Sequence, residues 1–327
     1  MEKFELLQPK GLREAVLALA EGDADRSTMV LAGGQDLLTE MKEHLAEPSL
    51  VVDISGLPQL AGIGEVKDGS IRLGANATIA QIAGHPRLRA DLPILTEAAD
   101  SIASPQIRSV ATLGGNLNQR PRCWYYRNEE AFCLKKGGSV CYAAEGMNKY
   151  NAILGGGPSY IVHPSDMAPA LIALDARVQL VGPDGDREVA LADYYTLPSD
   201  GPMTSETVRA NGEIVVDVIV PPQPQGLRST YLKFKERESY DWALASVALA
   251  VVMDGGVVRH ARMSLGGVAP KPWTVDVQGV LAGRPVNDET VAKVADLALD
   301  GAKALAHNGY KIPLTRGLIA RAFQQLS

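Results

Sequence analysis

The chain has 327 residues, of which 46% are hydrophobic and 21% charged, and its formal net charge is −6. That composition excludes a disordered or fibrous chain, and the length suffices for two or three lobes around a buried core. The acidic balance and the lack of a Lys/Arg block argue against a nucleic-acid partner, and no apolar run is long enough for a membrane span.

The first fifty-odd residues read as a small α/β unit. Apolar positions at Leu12, Ala15, Val16, Leu19 and Ala20 predict a helix over 12–20, broken by 21–24. A short strand over 27–31 then runs into Gly33–Gly34, a helix opens over 36–44, and a strand follows over 49–54. A hairpin is expected over 63–73, turning on Asp68–Gly69. Thr78 can cap a helix over 79–84, and a second helix is expected over 92–102. Residues 107–113 read as an extended approach to a second glycine corner, Gly114–Gly115.

The pattern then breaks. Residues 120–151 are polar, aromatic and without sustained period, and a stretch of that length inside a compact domain needs a function or a bound group to hold it. It contains all three cysteines, Cys123, Cys133 and Cys141. An odd count of clustered thiols points to metal or redox chemistry more than to a disulfide framework. A strand is expected over 152–157 and a helix over 167–174, with Asp166 placed to cap it. A hairpin over 177–181 and 187–190 follows, then a loose polar stretch over 196–212. The remainder reads as α+β: strands over 213–220, 229–234, 247–253 and 257–265, and helices over 291–304 and 316–325 on one face of the meander. The expected division is 1–55, 56–212 with an insertion at 120–160, and 213–327.

The two glycine corners share a plan. Leu31-Ala32-Gly33-Gly34-Gln35-Asp36-Leu37 and Ala111-Thr112-Leu113-Gly114-Gly115-Asn116 each bring an apolar run to a side-chain-free turn and then to a polar amide. Without a Cβ, backbone N–H groups can close on a phosphate, so a pair of corners suits both phosphates of a dinucleotide. A single corner of this sort is more often a plain surface turn; it is the pair that favours a ligand.

These segments, with Ile107-Arg-Ser-Val-Ala-Thr-Leu-Gly-Gly-Asn116, Ser239-Tyr-Asp-Trp-Ala-Leu-Ala-Ser-Val-Ala248, Gly266-Gly-Val-Ala-Pro270 and Asn308-Gly-Tyr-Lys-Ile-Pro313, resemble the FAD-binding medium subunit of the xanthine dehydrogenase family of molybdenum hydroxylases, over nearly the whole chain. The resemblance implies an α+β fold: a two-subdomain FAD-binding lobe of the vanillyl-alcohol-oxidase (PCMH-like) type, then a C-terminal domain of the CO dehydrogenase flavoprotein type. It implies FAD, a large molybdopterin-binding partner and a small partner with two [2Fe-2S] clusters. By position, Gly33, Gly34, Gln35 and Asp36 would form one pyrophosphate loop and Gly114, Gly115 and Asn116 the other, flanked by Leu31, Ala32, Leu37, Ile107, Ala111 and Thr112. Asp166 would contact the nucleotide, and Lys233 and Lys235 are candidates for the flavin or phosphate vicinity.

The insertion, with Arg122-Cys-Trp-Tyr-Tyr-Arg127, resembles the branch containing 4-hydroxybenzoyl-CoA reductase and periplasmic aldehyde oxidoreductases, whose medium subunit carries an extra [4Fe-4S] cluster. Thiolates suit iron, but four ligands are needed and the chain has three cysteines. Where a fourth would be expected, the sequence reads Lys149-Tyr150-Asn151. A [4Fe-4S] cluster with a non-cysteine ligand or an open iron, a [3Fe-4S] cluster, an empty remnant and a structural zinc site all remain open.

The resulting expectation is an electron-transfer subunit whose substrate (aldehyde, purine or aromatic-CoA) reacts on a partner. The rival readings are a stand-alone FAD oxidase and a non-enzymatic assembly protein. Residues 1–8 lack a basic stretch leading into an apolar core, so the expected location is cytoplasmic, or periplasmic by export with a partner.

Overall fold

The computed structural model describes residues 1–22 and 27–326, so residues 23 and 24 of the predicted helix break lie outside the described residues. Three sheets organise the described residues. The first is parallel, with strands β1 (Glu5–Leu7), β2 (Thr28–Leu31) and β3 (Leu50–Asp53) in the order β1-β3-β2. Helix Leu12–Ala20 connects β1 to β2 and buries Ala15, Val16 and Leu19, the stripe its spacing predicts. Helix Leu37–Lys42 connects β2 to β3. β1 escapes the sequence reading because it is only three residues long and Leu6 is 54% exposed.

The second sheet is antiparallel, with β4 (Ile63–Glu65), β5 (Ile71–Gly74), β6 (Arg177–Gly182), β7 (Gly185–Ala190) and β8 (Ile214–Val220) in the order β4-β5-β8-β6-β7. β8 was expected to open the C-terminal domain; instead it is the central strand here, paired to β5 and β6. The chain therefore passes to the next sheet after Val220, not at residue 213. The physical reason is burial on both faces: Val215, Val218 and Val220 face the core of this lobe, while Ile214 and Val216 close the core of the first. A register shift opposite Gln179/Leu180 moves the alternation by one residue and lets β8 serve both.

The third sheet is a meander of β9 (Arg228–Phe234), β10 (Ala245–Asp254), β11 (Val257–Gly266) and β12 (Trp273–Val275), in the order β12-β11-β10-β9. Helices Asp288–Ala298 and Lys311–Leu326 cover one face, against Ala245, Val247, Leu249 and Val251. The sequence leaves the other face uncovered. In the fold, Tyr231, Ala248 and Ala250 on that face join the core built by helices Pro93–Asp100 and Met167–Ala173. Each large apolar side chain buried there contributes about 1.5–3 kcal/mol, so the second lobe and the C-terminal domain share one core.

Two local expectations fail. Residues 107–113 are not extended: Ser104 caps a short helix, Pro105–Arg108, and only a bridge between Thr78 and Thr112 leads into the second glycine corner. Residues 152–157 form bends and irregular backbone, because the N–H groups of Ile153 and Leu154 both go to the Val268 carbonyl instead of a ladder.

Candidate functional site

The first glycine corner stands at the carboxyl end of β2, the end of a parallel sheet at which ligands bind in open α/β folds. Between it and the second corner lies a cleft of about 1040 Å³, at the upper end of the range for small-molecule sites and large enough for a dinucleotide. Ala32, Gly33, Gly34, Gln35, Asp36 and Leu37 line it from one side. Ile107, Ala111, Thr112, Gly114, Gly115 and Asn116 line it from the other, and Asp166 also reaches it. Leu31 ends β2 and is not part of the wall.

The corners meet. A Cβ on Gly33 would overlap the Val110 carbonyl oxygen, so only glycine allows the first turn to rest on the backbone leading into the second. Gly34 adopts φ +70°, a conformation costly for any residue with a side chain. The N–H groups of Gly33, Gly34, Gln35 and Asp36 donate to no described residue and form a cradle for an anion. The second corner is different: it is a short helix, Leu113–Leu117, whose donors are already used. Gly114 N–H donates to the Ala75 carbonyl at 2.8 Å and Gly115 N–H to Thr112 Oγ1 at 3.1 Å. Its helix is braced from behind by Ser165, whose hydroxyl donates to Asn116 Oδ1 at 2.6 Å, and by Tyr195, which donates to the Leu117 carbonyl.

Three of the predicted site residues have protein partners of their own. Asp36 lines the cleft, but its carboxylate accepts from Arg120 N–H at 2.6 Å and from Arg127 at 2.8 Å and forms an ion pair with Arg122 at 2.8 Å, and so anchors the insertion. Asp166 does not cap helix Met167–Ala173; Ser165 Oγ takes the Ala168 N–H instead. The Asp166 carboxylate accepts from Tyr231 at 2.6 Å and pairs with Lys233 at 2.7 Å in a buried contact. Lys233 is therefore spent behind the wall and does not line the cleft, and Lys235 does not line it either.

Sequence reasoning missed the mouth. Arg122, Trp124 and Arg127 from the insertion face Tyr240 and Trp242 from the loop after β9, with the Arg122 guanidinium 5.0 Å from the Trp242 ring centroid. The signal for it in the sequence is the pairing of arginines and aromatics in Arg122-Cys-Trp-Tyr-Tyr-Arg127 and of aromatics in Tyr240-Asp-Trp242. Five buried polar side-chain atoms of residues on this wall, Thr28 Oγ1, Asn76 Oδ1, Arg120 Nε, Arg122 Nε and Arg127 Nη1, make no hydrogen bond among the described residues. A free N–H cradle, unpartnered donor and acceptor atoms and an aromatic mouth fit the phosphates, ribose and ring of a flavin dinucleotide.

The insertion is tied to the rest of the chain by its own polar side chains. Beyond the Asp36 anchor, Tyr126 donates to Glu40 at 2.8 Å; burial raises the Glu40 carboxyl above its usual range and pushes the Tyr126 phenol up. Lys135, 3% exposed, pairs with Glu206 at 2.7 Å. The far end is clamped by the 308–313 motif. Asn308 Nδ2 donates to the carbonyls of Asn151 and Ala152 at 3.1 Å, and Lys311 Nζ to those of Tyr150 and Gly267 at 2.8 and 2.7 Å. Burial lowers the Lys311 ammonium to about 7.

Cys123, Cys133 and Cys141 line one small cavity together with Ser159. Among the described residues, the only His/Cys/Asp/Glu trio with ligand atoms within 4.8 Å of one another is Glu2, His44 and Glu47. The thiols are thus not drawn round one ion; a zinc ion with bonds of about 2.3 Å would bring its sulfurs to about 3.8 Å. The Cys123 sulfur accepts a hydrogen bond from Asn151 Nδ2 at 3.5 Å. Burial pushes the free Cys123 thiol up. The segment expected to supply a fourth ligand is committed elsewhere: Lys149 and Tyr150 both bind Glu236, and Asn151 serves as the donor to Cys123.

Comparison with known proteins agrees with this geometry. Residues 2–223 match the FAD binding domain in molybdopterin dehydrogenase, and residues 229–326 the CO dehydrogenase flavoprotein C-terminal domain. The chain is 37% identical to the aldehyde oxidoreductase FAD-binding subunit PaoB of Escherichia coli, covering 89% of this chain and 88% of that one. It is 32% identical to the carbon monoxide dehydrogenase medium chain of Hydrogenophaga pseudoflava, covering 91% and 86%. A chain of reconstituted CO dehydrogenase from Oligotropha carboxidovorans superposes with a TM-score of 0.78 at 27% identity, over 99% of this chain and 97% of that one. No helix among the described residues is long and apolar enough to cross a membrane. The chain is an FAD-binding oxidoreductase subunit and belongs to the molybdopterin dehydrogenase flavoprotein family.

Proposed function

We propose that this chain is the electron-transfer subunit of a molybdenum hydroxylase, that its substrate, an aldehyde, reacts on a large molybdopterin-binding partner, and that a small partner carries two [2Fe-2S] clusters. The kinship with an aldehyde oxidoreductase subunit and with CO dehydrogenase medium chains supports this assembly. Bound in the cleft, FAD supplies the redox chemistry, and the protein supplies placement and electrostatics. The N–H groups of Gly33 to Asp36 hold one end of the pyrophosphate, and the Gly114–Gly115 surface lets the other end approach the backbone. Tyr240 and Trp242 form the side against which an aromatic ring can rest.

The insertion belongs to the same electron path. Arg122 and Trp124 line the cleft, and Cys123 between them lines the cysteine cavity. A redox group held by the three cysteines is therefore separated from the cleft by one residue of chain. That adjacency is the observation that carries the reading of an iron–sulfur cluster at Cys123, Cys133 and Cys141, the closed spacing of a zinc site being absent among the described residues.

The test is reduction of the bound flavin by an aldehyde, with and without the partner subunits, under anaerobic conditions. Bleaching of the yellow band only in the assembled complex supports the proposal. Bleaching of the isolated chain means a stand-alone oxidase, and a colourless chain that takes up no FAD means an assembly protein.

A further inference from the structure

The cysteine cavity has a fourth wall to which no role is assigned. Resting on the reading that the insertion holds an iron–sulfur cluster, we propose that Ser159 is the fourth protein ligand, binding iron through Oγ.

Ser159 is 2% exposed and lines the cavity with Cys123, Cys133 and Cys141. The fold brings it there by turning the chain back on itself: Ala152 N–H donates to the Tyr160 carbonyl at 2.9 Å and Asn151 Nδ2 to the same oxygen at 3.0 Å. This return sets residue 159 beside the residues that flank the Cys123 sulfur, although Ser159 follows Cys141 by eighteen positions in the sequence. Sequence spacing pointed to residues 149–151, but a fourth ligand is chosen by where the loop returns.

The other oxygen and nitrogen side chains on the cavity wall are committed or exposed. The Tyr126 hydroxyl donates to Glu40, the Tyr125 hydroxyl accepts the Met147 N–H at 2.7 Å, and the Lys135 ammonium is held by Glu206. Tyr142 is 42% exposed and stacks on Tyr125. Ser159 is left as the small buried donor facing the three thiols. On binding, its O–H bond breaks, the proton leaves to solvent, and an alkoxide–iron bond forms with no change in oxidation state. Each cysteine loses its proton in the same way.

The full chain, purified and reconstituted anaerobically with ferrous iron and sulfide, tests the assignment by iron and acid-labile sulfide content, Mössbauer spectra and electron paramagnetic resonance. The wild-type chain is expected to hold a [4Fe-4S] cluster with one iron spectroscopically distinct from the rest. Ser159→Ala is expected to lose about a quarter of the iron, as ferrous ion, and after one-electron oxidation with ferricyanide to show the resonance of an oxidised [3Fe-4S] cluster. Ser159→Cys is expected to keep the full iron content, to abolish the distinct iron and to resist chelation longer than wild type. A [4Fe-4S] spectrum unchanged in Ser159→Ala overturns the ligand assignment but leaves the cluster in place, and so does a wild-type chain that holds only [3Fe-4S]. A wild-type chain that takes up neither iron nor sulfide removes the cluster reading itself.

Discussion

The two glycine corners look alike in sequence and do opposite things in the fold. At the first, Gly33 and Gly34 hold an open turn with donor groups unspent, and Gly33 is pressed on the Val110 carbonyl. At the second, Gly114 and Gly115 sit inside a helical turn whose N–H groups are satisfied and whose back is braced by Ser165, Tyr194 and Tyr195. One corner is an open turn with donors to spare; the other is a finished surface. A Gly-Gly pair says only that the backbone comes close to something. What it comes close to depends on where the neighbouring donors go.

Substitutions separate the two. The largest effect is expected behind the second corner: Asp166→Ala leaves Lys233 buried without its partner, which costs about 3–5 kcal/mol. Denaturant unfolding should show that loss, and Asp166→Leu combined with Lys233→Met should recover most of it. Next comes Gly33→Ala, which forces the first corner off Val110 at a cost of about 1–3 kcal/mol. Its FAD affinity, measured by fluorescence titration of the flavin-free chain, should fall about 5- to 150-fold.

The brace has its own pH signature. His163, buried beside Tyr195, is lowered to about 3 by burial, well under its ordinary value of 6.5. The unfolded chain then binds a proton that the folded chain refuses, so stability is complete above pH 6.5 and falls by up to about 1.4 kcal/mol per pH unit on acidification towards 3. The unfolding free energy of His163→Phe should show a shallower loss over that window. The smallest effect belongs to Gly115→Ala. Its new Cβ would meet only the Thr112 hydroxyl at 3.0 Å, and alanine favours the helix. Stability should move by under about 1 kcal/mol and FAD affinity by less than tenfold. A loss as large as that of Gly33→Ala would mean that the corners are equivalent.

Much of the fold was legible. Helix 12–20, the two hairpins and the long strands of the meander follow from periodicity and turn residues, because each buries one clear face. β8 was placed in the wrong domain because both its faces are apolar, and such a strand carries no sign of which sheet it joins. The positions of Gly33, Gly34, Gly114 and Gly115 on the cleft could be anticipated from a local pattern. The engagement of Asp36 by arginines 84 to 91 residues away, and of Asp166 by Lys233 67 residues away, could not, since long-range ion pairs leave no trace in local spacing. Ser159 shows the same limit: it joins the cysteines only through a chain reversal that no periodicity marks.

Amide hydrogen exchange at the two corners, with and without FAD, tests the difference most directly. In the flavin-free chain, the amides of Gly33 to Asp36 should exchange fast and those of Gly114 and Gly115 slowly. Added FAD should protect the first set strongly and change the second little. Exchange at residues 33–36 that does not respond to FAD, while FAD binds, would contradict the phosphate cradle at the first corner.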